Sequence, residues 1–474
     1  AQTAITATYG ATRSVVFLVT EDLTCDSVMT FESNVTIRCQ GGLMDANQVA
    51  SAVTFRGPVE CADNTVQLFT DYASNSFVFA ANERAVRIVR PELWGAKPLN
   101  SSSNATTNAA AFAAAIGGLG NTGRVLVADG TYFLDAGLTF PADFFTFSGM
   151  QVDRSILKFT HVNGNAITVK GREVTIEDMT IDADTARQTG GGTGHGIAFD
   201  ASLTSGTQGH GRLLSLVVQN QPQDGINTIE PELCYYESVT SNANGRYGLN
   251  MTNVSTIPWN CVVVNSRTIS NVNQGVLCTQ CHYMNFVGHQ SYSNGGTAQM
   301  TFDGGRNNNC YNCDVENIPD ALDIGANNIG MVLGGQGHQI YGGHVSSLVT
   351  GISFVGCDRC EVHMPFCINA SFGSPGGFNM DACVKADANS EENDVDVAAT
   401  YTGVTAPWSA NAASLWNEVC IGNRCSPPNT VFASLGTPAN GTVAYCSDCG
   451  IANPCAGAGT GAVAKRLNGV WVCN

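Results

Sequence analysis

The sequence predicts an all-β fold, a single-stranded parallel β-helix (solenoid) in which short coils stack on one another. Its marker is a small residue, usually glycine, followed by an apolar–polar–apolar triplet. Each triplet has the period-2 pattern of a strand with one buried face, and none carries the long apolar stripe of a helix. Successive copies lie about 22–30 residues apart, a spacing typical of stacked coils. The copies are residues 196–199, 225–228, 248–251, 275–278, 299–302, 321–324 and 351–354.

The composition supports a turn-rich β architecture and excludes several classes of partner. Charged residues make up 13% and hydrophobic residues 43% of the 474 residues, with 52 glycines and 15 prolines, so long helices should not dominate. The net charge of −17 argues against a nucleic acid or an anionic membrane surface as the partner. No apolar run approaches about 18 residues, so no membrane span is predicted.

The cysteine content and the N-terminus indicate an extracellular or secreted protein, at a cell surface or a virion surface. Nineteen cysteines would be hazardous as free thiols, whereas an oxidising compartment allows them to pair. The first four residues lack the basic and apolar regions of a signal peptide, so they read as the end left after signal cleavage.

Three segments are predicted. Residues 1–90 form a small N-terminal β unit, residues 91–385 the β-helix, and residues 386–474 a Cys-rich C-terminal region that disulfides must stabilise. Within the second segment, the Ala-rich residues 108–116 predict a helix with Asn108 as its N-cap and Gly117 and Gly118 at its end. This helix should cover the open apolar end of the coils that follow it.

Two motifs around this helix resemble those of a known superfamily. The turn Trp94-Gly-Ala96 precedes the helix, and a strand with Gly130-Thr-Tyr132 follows it. Together they resemble the pectate-lyase-like right-handed parallel β-helix proteins, which include phage tailspike proteins and many secreted polysaccharide lyases and hydrolases. The chain departs from the pattern in two places: residues 99–106 contain no acid, and Ala128-Asp129 stands where the family has a proline motif.

The resemblance implies an extracellular polysaccharide-directed protein. It would be either a depolymerase, acting as a lyase or a glycoside hydrolase, or a tailspike-like glycan binder, so whether it is an enzyme stays open. The partner would be a polysaccharide or cell-surface glycan, and the chain would form a homo-oligomer. The alternative is a non-catalytic structural protein, a subunit of a self-assembling surface layer, filament or adhesin. No cofactor is expected, with calcium kept as the alternative ion.

Stacked coils predict an outward ladder formed by the middle residue of each triplet, with the residue before each glycine beside it. In the middle coils this places His195, Asp224, Arg246 and Tyr247 together as candidate catalytic residues. For β-elimination from a uronate, Arg246 would neutralise the carboxylate, and His195 or Tyr247 would act as base and acid.

Glycoside hydrolysis would instead need two carboxyl groups. Asp224 together with Asp303, Asp320 or Asp323 would supply them. The predicted substrate-binding residues are Asn227, Asn250, Asp303, Asp320 and Asp323. The alternative is that all of these are ordinary turn residues, since Asp and Asn are common in turns for backbone reasons alone.

Cysteines recur in C-x-x-C pairs. Cys278 and Cys281 are followed by His282, the spacing of a c-type haem attachment site, but the other pairs of the coils lack that histidine. The shared spacing favours one coil turn carrying local disulfides or buried thiols over a haem or zinc site. The disulfide candidates are Cys278, Cys281, Cys310, Cys313, Cys357, Cys360, Cys420, Cys425, Cys446, Cys449, Cys455 and Cys473.

Overall fold

The structure is a computed structural model that divides into two compact units, Ala1–Gly245 and Arg246–Asn474. No described helix is long and apolar enough to cross a membrane. The structure describes residues 13–25, 27–46, 53–61, 67–70, 77–80, 88–99, 101–119, 123–140, 143, 145–184, 187, 192–200, 210–229, 233–253, 260–316, 329–347, 350–364, 366–369, 380–387, 389–390, 393–397, 401–402, 404–410, 418–421, 424–426, 429–430, 433, 435 and 443–474.

The first unit is built of short strands around one described α-helix. The helix is α1 Ala105–Leu119, preceded by the 3₁₀ turns Pro91–Trp94 and Ser102–Asn104. The strands are β1 Val15–Val19, β2 Leu23–Thr24, β3 Met29–Phe31, β4 Val35–Cys39, β5 Met44–Asp45, β6 Val53–Phe55, β7 Val59–Cys61, β8 Phe77–Phe79, β9 Ile88–Val89, β10 Gly123–Leu126, β11 Gly130–Leu134, β12 Leu138–Phe140, β13 Phe145–Ser148, β14 Ser155–Phe159, β15 Ile167–Val169, β16 Val174–Ala183, β17 Ile197–Asp200, β18 His210–Gln219, β19 Ile226–Ile229 and β20 Leu233–Asn242.

The strands before α1 are themselves stacked in parallel. β1, β4 and β7 form one sheet and β3, β6 and β8 another, with Val15 opposite Val35 and Val53 opposite Phe77. Aromatic rings fill the interior, and Phe31 stacks on Phe55 at 5.6 Å between ring centroids. The described strands before α1 therefore already form stacked coils. The predicted end of the N-terminal β unit at residue 90 stays a prediction.

Helix α1 covers the coils that follow it, as predicted, but it also contacts the strand that precedes it. It packs on β10, β11 and β12, and it touches β8, where Gly118 lies against the Phe77 carbonyl. The prediction that Asn108 is the N-cap is wrong, because the helix begins at Ala105. Asn108 is buried and bonds both the amide and the carbonyl of Lys97. Gly117 and Gly118 lie inside the helix, which ends at Leu119.

The departure from the family motif at Ala128 has a structural counterpart. The Ala128 amide donates a 3.3 Å hydrogen bond to Oε1 of Glu92, which also accepts from the Tyr132 hydroxyl. A proline has no amide hydrogen and would leave that bond unmade. Glu92 is 2% exposed, so its carboxylate depends on such donors.

The second unit consists of stacked coils and a C-terminal module. Its strands are β21 Leu249–Thr252, β22 Val262–Val264, β23 Arg267–Ile269, β24 Val276–Thr279, β25 Asn285–Val287, β26 Gln290–Tyr292, β27 Ala298–Asp303, β28 Asn309–Tyr311, β29 Asp314–Glu316, β30 Ile329–Gln336, β31 Gln339–Tyr341, β32 His344–Ser347, β33 Thr350–Asp358, β34 Glu361–Met364, β35 Phe366–Asn369, β36 Met380–Ala386, β37 Asp394–Val397, β38 Tyr401–Thr402, β39 Val404–Ala410, β40 Glu418–Ile421, β41 Arg424–Ser426, β42 Asn429–Thr430, β43 Val443–Cys446, β44 Ala462–Leu467 and β45 Val470–Cys473.

Each coil of this unit contributes one strand to each of three parallel columns. The first column contains β22, β25, β28, β31, β34, β37 and β40. The second contains β23, β26, β29, β32, β35 and β38, and the third contains β21, β24, β27, β30, β33, β36 and β39. Alternate side chains point inward, so the middle residue of a three-residue strand is buried, such as Phe286 in β25, Ser291 in β26 and Ile340 in β31. Parallel strands joined in this way give the right-handed parallel β-helix that the sequence predicted.

The glycine markers coincide with the closest approach of neighbouring coils. A Cβ on the predicted marker Gly248 would lie 2.7 Å from the Gly275 carbonyl oxygen, and one on Gly330, which was not predicted as a marker, would lie 2.5 Å from that of Gly351. Only glycine fits there. The prediction for residues 321–324 falls outside the described residues, and the ladder position it was assigned belongs to Val332, opposite Thr301.

Candidate functional site

The structure places His195 and Asp224 in contact in the first unit. His195 Nδ1 lies 3.1 Å from Oδ2 of Asp224, and the Asp224 side chain is fully buried while that of His195 is 18% exposed. Asp224 is therefore buried rather than exposed at the edge of the outward ladder, and its predicted catalytic role stays a prediction. A buried carboxylate beside an imidazole orients the ring, so Asp224 is placed to position His195.

Arg246 and Tyr247 are adjacent at the start of the second unit. The Arg246 guanidinium lies over the Tyr247 ring, 5.1 Å from its centroid. Such a cation–π contact orients both side chains and leaves the arginine charge intact.

The predicted binding residues differ in their exposure. Asn227 and Asn250 are 8% and 9% exposed, so the prediction that the ladder points into solvent is wrong for these two coils. Asp303, at the end of β27, is exposed as predicted. Asp320 and Asp323 lie outside the described residues.

The C-x-x-C cysteines form local disulfides. The bonded pairs are Cys278–Cys281, Cys310–Cys313, Cys357–Cys360 and Cys446–Cys449, and Cys455 pairs with Cys473. Because the sulfurs of Cys278 and Cys281 are bonded to each other, they are not available to form the thioether bonds of a c-type haem. The side chains of Cys420 and Cys425 are outside the described part of the chain, although these two residues face each other in an antiparallel pair.

The three coil pairs do not share one turn, contrary to the prediction. Cys281 and Cys360 lie in the turns after the third-column strands β24 and β33. Cys313 instead lies between the first and second columns, against Gly343. A spacing of three residues reports a tight turn without reporting which corner of the coil it occupies.

The sequence analysis missed an amide-lined cleft on the first column. The cleft has a volume of about 590 Å³, within the range of pockets that hold small ligands. It is lined by Asn260, Tyr283, Asn285, Asn307, Asn309, Gly337 and Gln339. The Tyr283 side chain is 43% exposed, and the Asn309 amide donates a 2.9 Å hydrogen bond to Oδ1 of Asn285.

A row of stacked rings runs beside this cleft, two residues further along the same strands. Tyr311 stacks on Tyr341 with centroids 5.8 Å apart and planes 7° apart, and Tyr341 stacks on His363 at 5.0 Å and 11°. The strand register puts the three residues directly opposite one another. The row and the cleft together form a rigid surface of rings and amides.

A carboxylate belongs to this surface. Glu361 Oε2 accepts a hydrogen bond from the Tyr341 hydroxyl at 2.5 Å and one from the Gln339 amide at 3.1 Å. The hydrogen bond to Glu361, together with partial burial, raises the pKa of Tyr341 to about 12. Tyr341 therefore stays a neutral donor at ordinary pH.

One group of side chains in the second column could hold a cation. The ligand atoms of Asp314, Glu316 and His344 lie within 4.8 Å of one another. The His344 ring meets Asp314 through Nδ1 and Glu316 through Nε2, and the hydrogen bond to Asp314 raises the pKa of His344. Calcium prefers six to eight oxygen ligands, whereas two carboxylates and an imidazole suit a transition metal better. Among the described residues, this group does not fit the calcium alternative.

A signal for the cleft was present in the sequence. Asn309-Cys-Tyr311 and Gln339-Ile-Tyr341 repeat an amide–apolar–tyrosine triplet about one coil apart. The glycine markers lie on strands of the third column, whereas this amide–apolar–tyrosine repeat lies on strands of the first column.

No protein-family model and no curated protein matches the chain. Among solved structures, it is similar to the enzymatically active domain of tailspike protein 2 of bacteriophage CBA120, with a TM-score of 0.55 and 12% identity over 81% of this chain and 60% of that one. It is also similar to full-length tailspike protein 2 of Escherichia coli O157:H7 bacteriophage CAB120, with a TM-score of 0.54 and 14% identity over 77% of this chain and 49% of that one. The chain thus spans about half to three fifths of the length of these proteins. At these identities the similarity concerns the fold alone, and it confirms that the chain is a right-handed parallel β-helix.

Proposed function

We propose that the protein binds a polysaccharide in the amide-lined cleft of its second unit. The observation that carries this proposal is the combination of an exposed tyrosine, Tyr283, with five side-chain amides in one cleft. An amide both donates and accepts hydrogen bonds, as each sugar hydroxyl does, and a tyrosine ring packs on the apolar face of a sugar. The similarity to phage tailspike proteins supports the same class of ligand.

The cleft itself supports binding rather than cleavage. Its lining contains no Asp, Glu or His side chain among the described residues, whereas glycoside hydrolysis needs a pair of carboxyl groups beside the scissile bond. The disulfides among the described residues support an extracellular location, since such bonds persist in oxidising compartments.

A binding assay with the full chain tests this proposal. A panel of soluble polysaccharides is titrated against the wild type, Asn309→Ala and Gln339→Ala, with Gln290→Ala, an outward amide of the second column, as the matched control. Each cleft variant should weaken binding by about tenfold, the effect of losing one to two hydrogen bonds in a polar cleft. Equal affinity of the cleft variants and the wild type, or no binding to any polymer, would contradict the proposal.

A second candidate, cleavage of the glycan, is favoured by the contact between His195 and Asp224. A partly exposed imidazole oriented by a buried carboxylate is the arrangement of a general acid–base residue. If the chain releases reducing ends from a polymer, His195→Ala should abolish the release and Asp224→Asn should reduce it. Release that persists in His195→Ala would remove this candidate.

A further inference from the structure

The charges around the amide-lined cleft restrict the kind of polysaccharide that fits it. The side chains that line the cleft are five amides and one tyrosine, so the lining carries no charge. A uronate or sulfate polymer brings one negative charge for every one or two sugars. Such a ligand needs cationic groups on the protein, because a desolvated anion without a partner is costly.

The outward face of the coils beside the cleft carries acidic side chains, whereas an anionic polymer needs basic ones. The outward residues of β34 and β37 include Glu361, Asp394 and Asp396, and those of β29 are Asp314 and Glu316. The outward positions of β25, β26, β28, β29, β31, β32, β34 and β37 contain no Lys or Arg. The strands that flank the cleft are therefore acidic and amide-rich.

Among the described contacts, the partners of Glu361, Asp394, Asp314 and Glu316 are neutral donors or histidines. Glu361 is held by a hydroxyl and an amide, both of which are neutral donors. Asp394 lies 3.9 Å from Nε2 of His363, a residue that is itself stacked on Tyr341. An anionic ligand bound beside these carboxylates would be repelled by their negative charges. The repulsion is strongest at low ionic strength, where the screening length is long.

Arginines border this surface as well and are the rival anchors for an anionic ligand. Arg306 precedes Asn307 in the turn before β28, and Arg267 lies on β23, opposite Gln290. Arg359, in the turn before β34, has a 64% exposed side chain whose Nε lies 3.9 Å from Oδ1 of Asp358. A polymer that bears a charge on successive sugars would run past several carboxylates as well as these arginines.

We infer that the cleft selects a polysaccharide without anionic groups, uncharged or carrying free amino groups, over a uronate or sulfate polymer. This inference rests on the proposed function and specifies the substrate class of the same cleft. It also replaces the expectation of a uronate ligand, which depended on Arg246 as the neutralising group.

The experiment compares three soluble oligosaccharide sets of similar length: a neutral glucan or galactomannan, an amino-bearing chitosan and an anionic polygalacturonate or alginate. Binding to the full chain is measured by calorimetry at low and at physiological ionic strength, with a chelator present so that no divalent cation bridges two carboxylates. The neutral or amino-bearing set should bind at least about tenfold more tightly than the anionic set at low ionic strength. Binding of the amino-bearing set should weaken as salt is added.

A charge-removal variant tests the cause. Glu361→Gln combined with Asp394→Asn should improve the affinity for the anionic set by about tenfold at low ionic strength and leave the neutral set unchanged. Glu21→Gln, an exposed carboxylate of the first unit, is the matched control.

The outcomes separate the inference from the proposed function. If the anionic set binds as tightly as the neutral set and Asn309→Ala weakens both, the cleft binds glycans and the inference about charge is wrong. Loss of that anionic binding in Arg306→Gln would identify the rival anchor. If no set binds, or if cleft variants leave binding unchanged, the proposed function fails and the inference fails with it.

Discussion

The Tyr341 hydroxyl donates a 2.5 Å hydrogen bond to Oε2 of Glu361, so a ring of the stacked row is tied to a carboxylate of the next coil. Glu361 lies directly opposite Gln339, and its Oε2 also accepts a hydrogen bond from the Gln339 side-chain amide. The contact joins the aromatic row, the cleft and the acidic face. A change at Tyr341 or Glu361 therefore affects all three features.

A double-mutant cycle should show that this hydrogen bond stabilises the coil. Tyr341→Phe and Glu361→Gln are each expected to lower stability slightly, with a coupling of at most about 1 kcal/mol, because the pair is partly exposed to solvent. The measurement is the melting temperature of the two single variants and of the double variant. Strictly additive shifts would show that the two residues do not stabilise each other.

Gly330→Ala should destabilise the second unit by more than about 2 kcal/mol. The new Cβ would lie 2.5 Å from both the Gly351 carbonyl oxygen and a methyl group of Val345, so two neighbouring coils must move apart. Gly450→Ala is the control, because the nearest atom to its Cβ is 4.0 Å away. Thermal unfolding checks both variants, and an unchanged melting temperature for Gly330→Ala would contradict the stacking described for these coils.

Glu92 predicts a pH dependence of stability in the first unit. Burial raises the pKa of this carboxyl above its ordinary value of 4.5. The native state therefore favours the protonated acid, and the stability it provides is complete below pH 4.5 and lost as the pH rises through the raised pKa. Glu92→Gln keeps an acceptor for Tyr132 and removes the charge.

The melting temperature of Glu92→Gln relative to the wild type should consequently increase as the pH rises from below 4.5 to neutral. Glu21→Gln, which is exposed, serves as the control across the same series. A difference between Glu92→Gln and the wild type that stays constant with pH would show that the Glu92 carboxyl does not change its charge in that range.

His289 predicts the opposite dependence in the second unit. Complete burial lowers the pKa of its imidazole from 6.5 to about 3. The native state thus favours the neutral ring, and the stability this provides is present above pH 6.5 and lost as the pH falls from 6.5 towards 3. Over that range the wild type should lose about 1.4 kcal/mol per pH unit relative to His289→Gln.

Denaturation of the wild type and of His289→Gln at several pH values measures this difference. It should begin at pH 6.5 and grow as the pH falls towards 3. Parallel curves for the wild type and His289→Gln would contradict the prediction.

The sequence by itself determined the architecture of this protein. A coil must place glycine where the next coil approaches within van der Waals distance, and it must alternate apolar and polar residues where one face is buried, so both signals are local and readable. Gly248, Gly275 and Gly351 revealed the period, and the alanines of residues 108–116 predicted the helix that spans Ala105–Leu119 in the structure.

Only the tertiary structure decided which side chains meet and which reach solvent. Asn227 and Asn250 occupy the same triplet position as Leu277, yet the two asparagines are buried while Leu277 is partly exposed, because burial depends on what covers each coil. The cleft could not be predicted from the sequence for a related reason. Asn285 and Asn309 are 24 residues apart in the chain and Asn309 and Gln339 are 30 apart, and only the register of neighbouring strands brings their amides together.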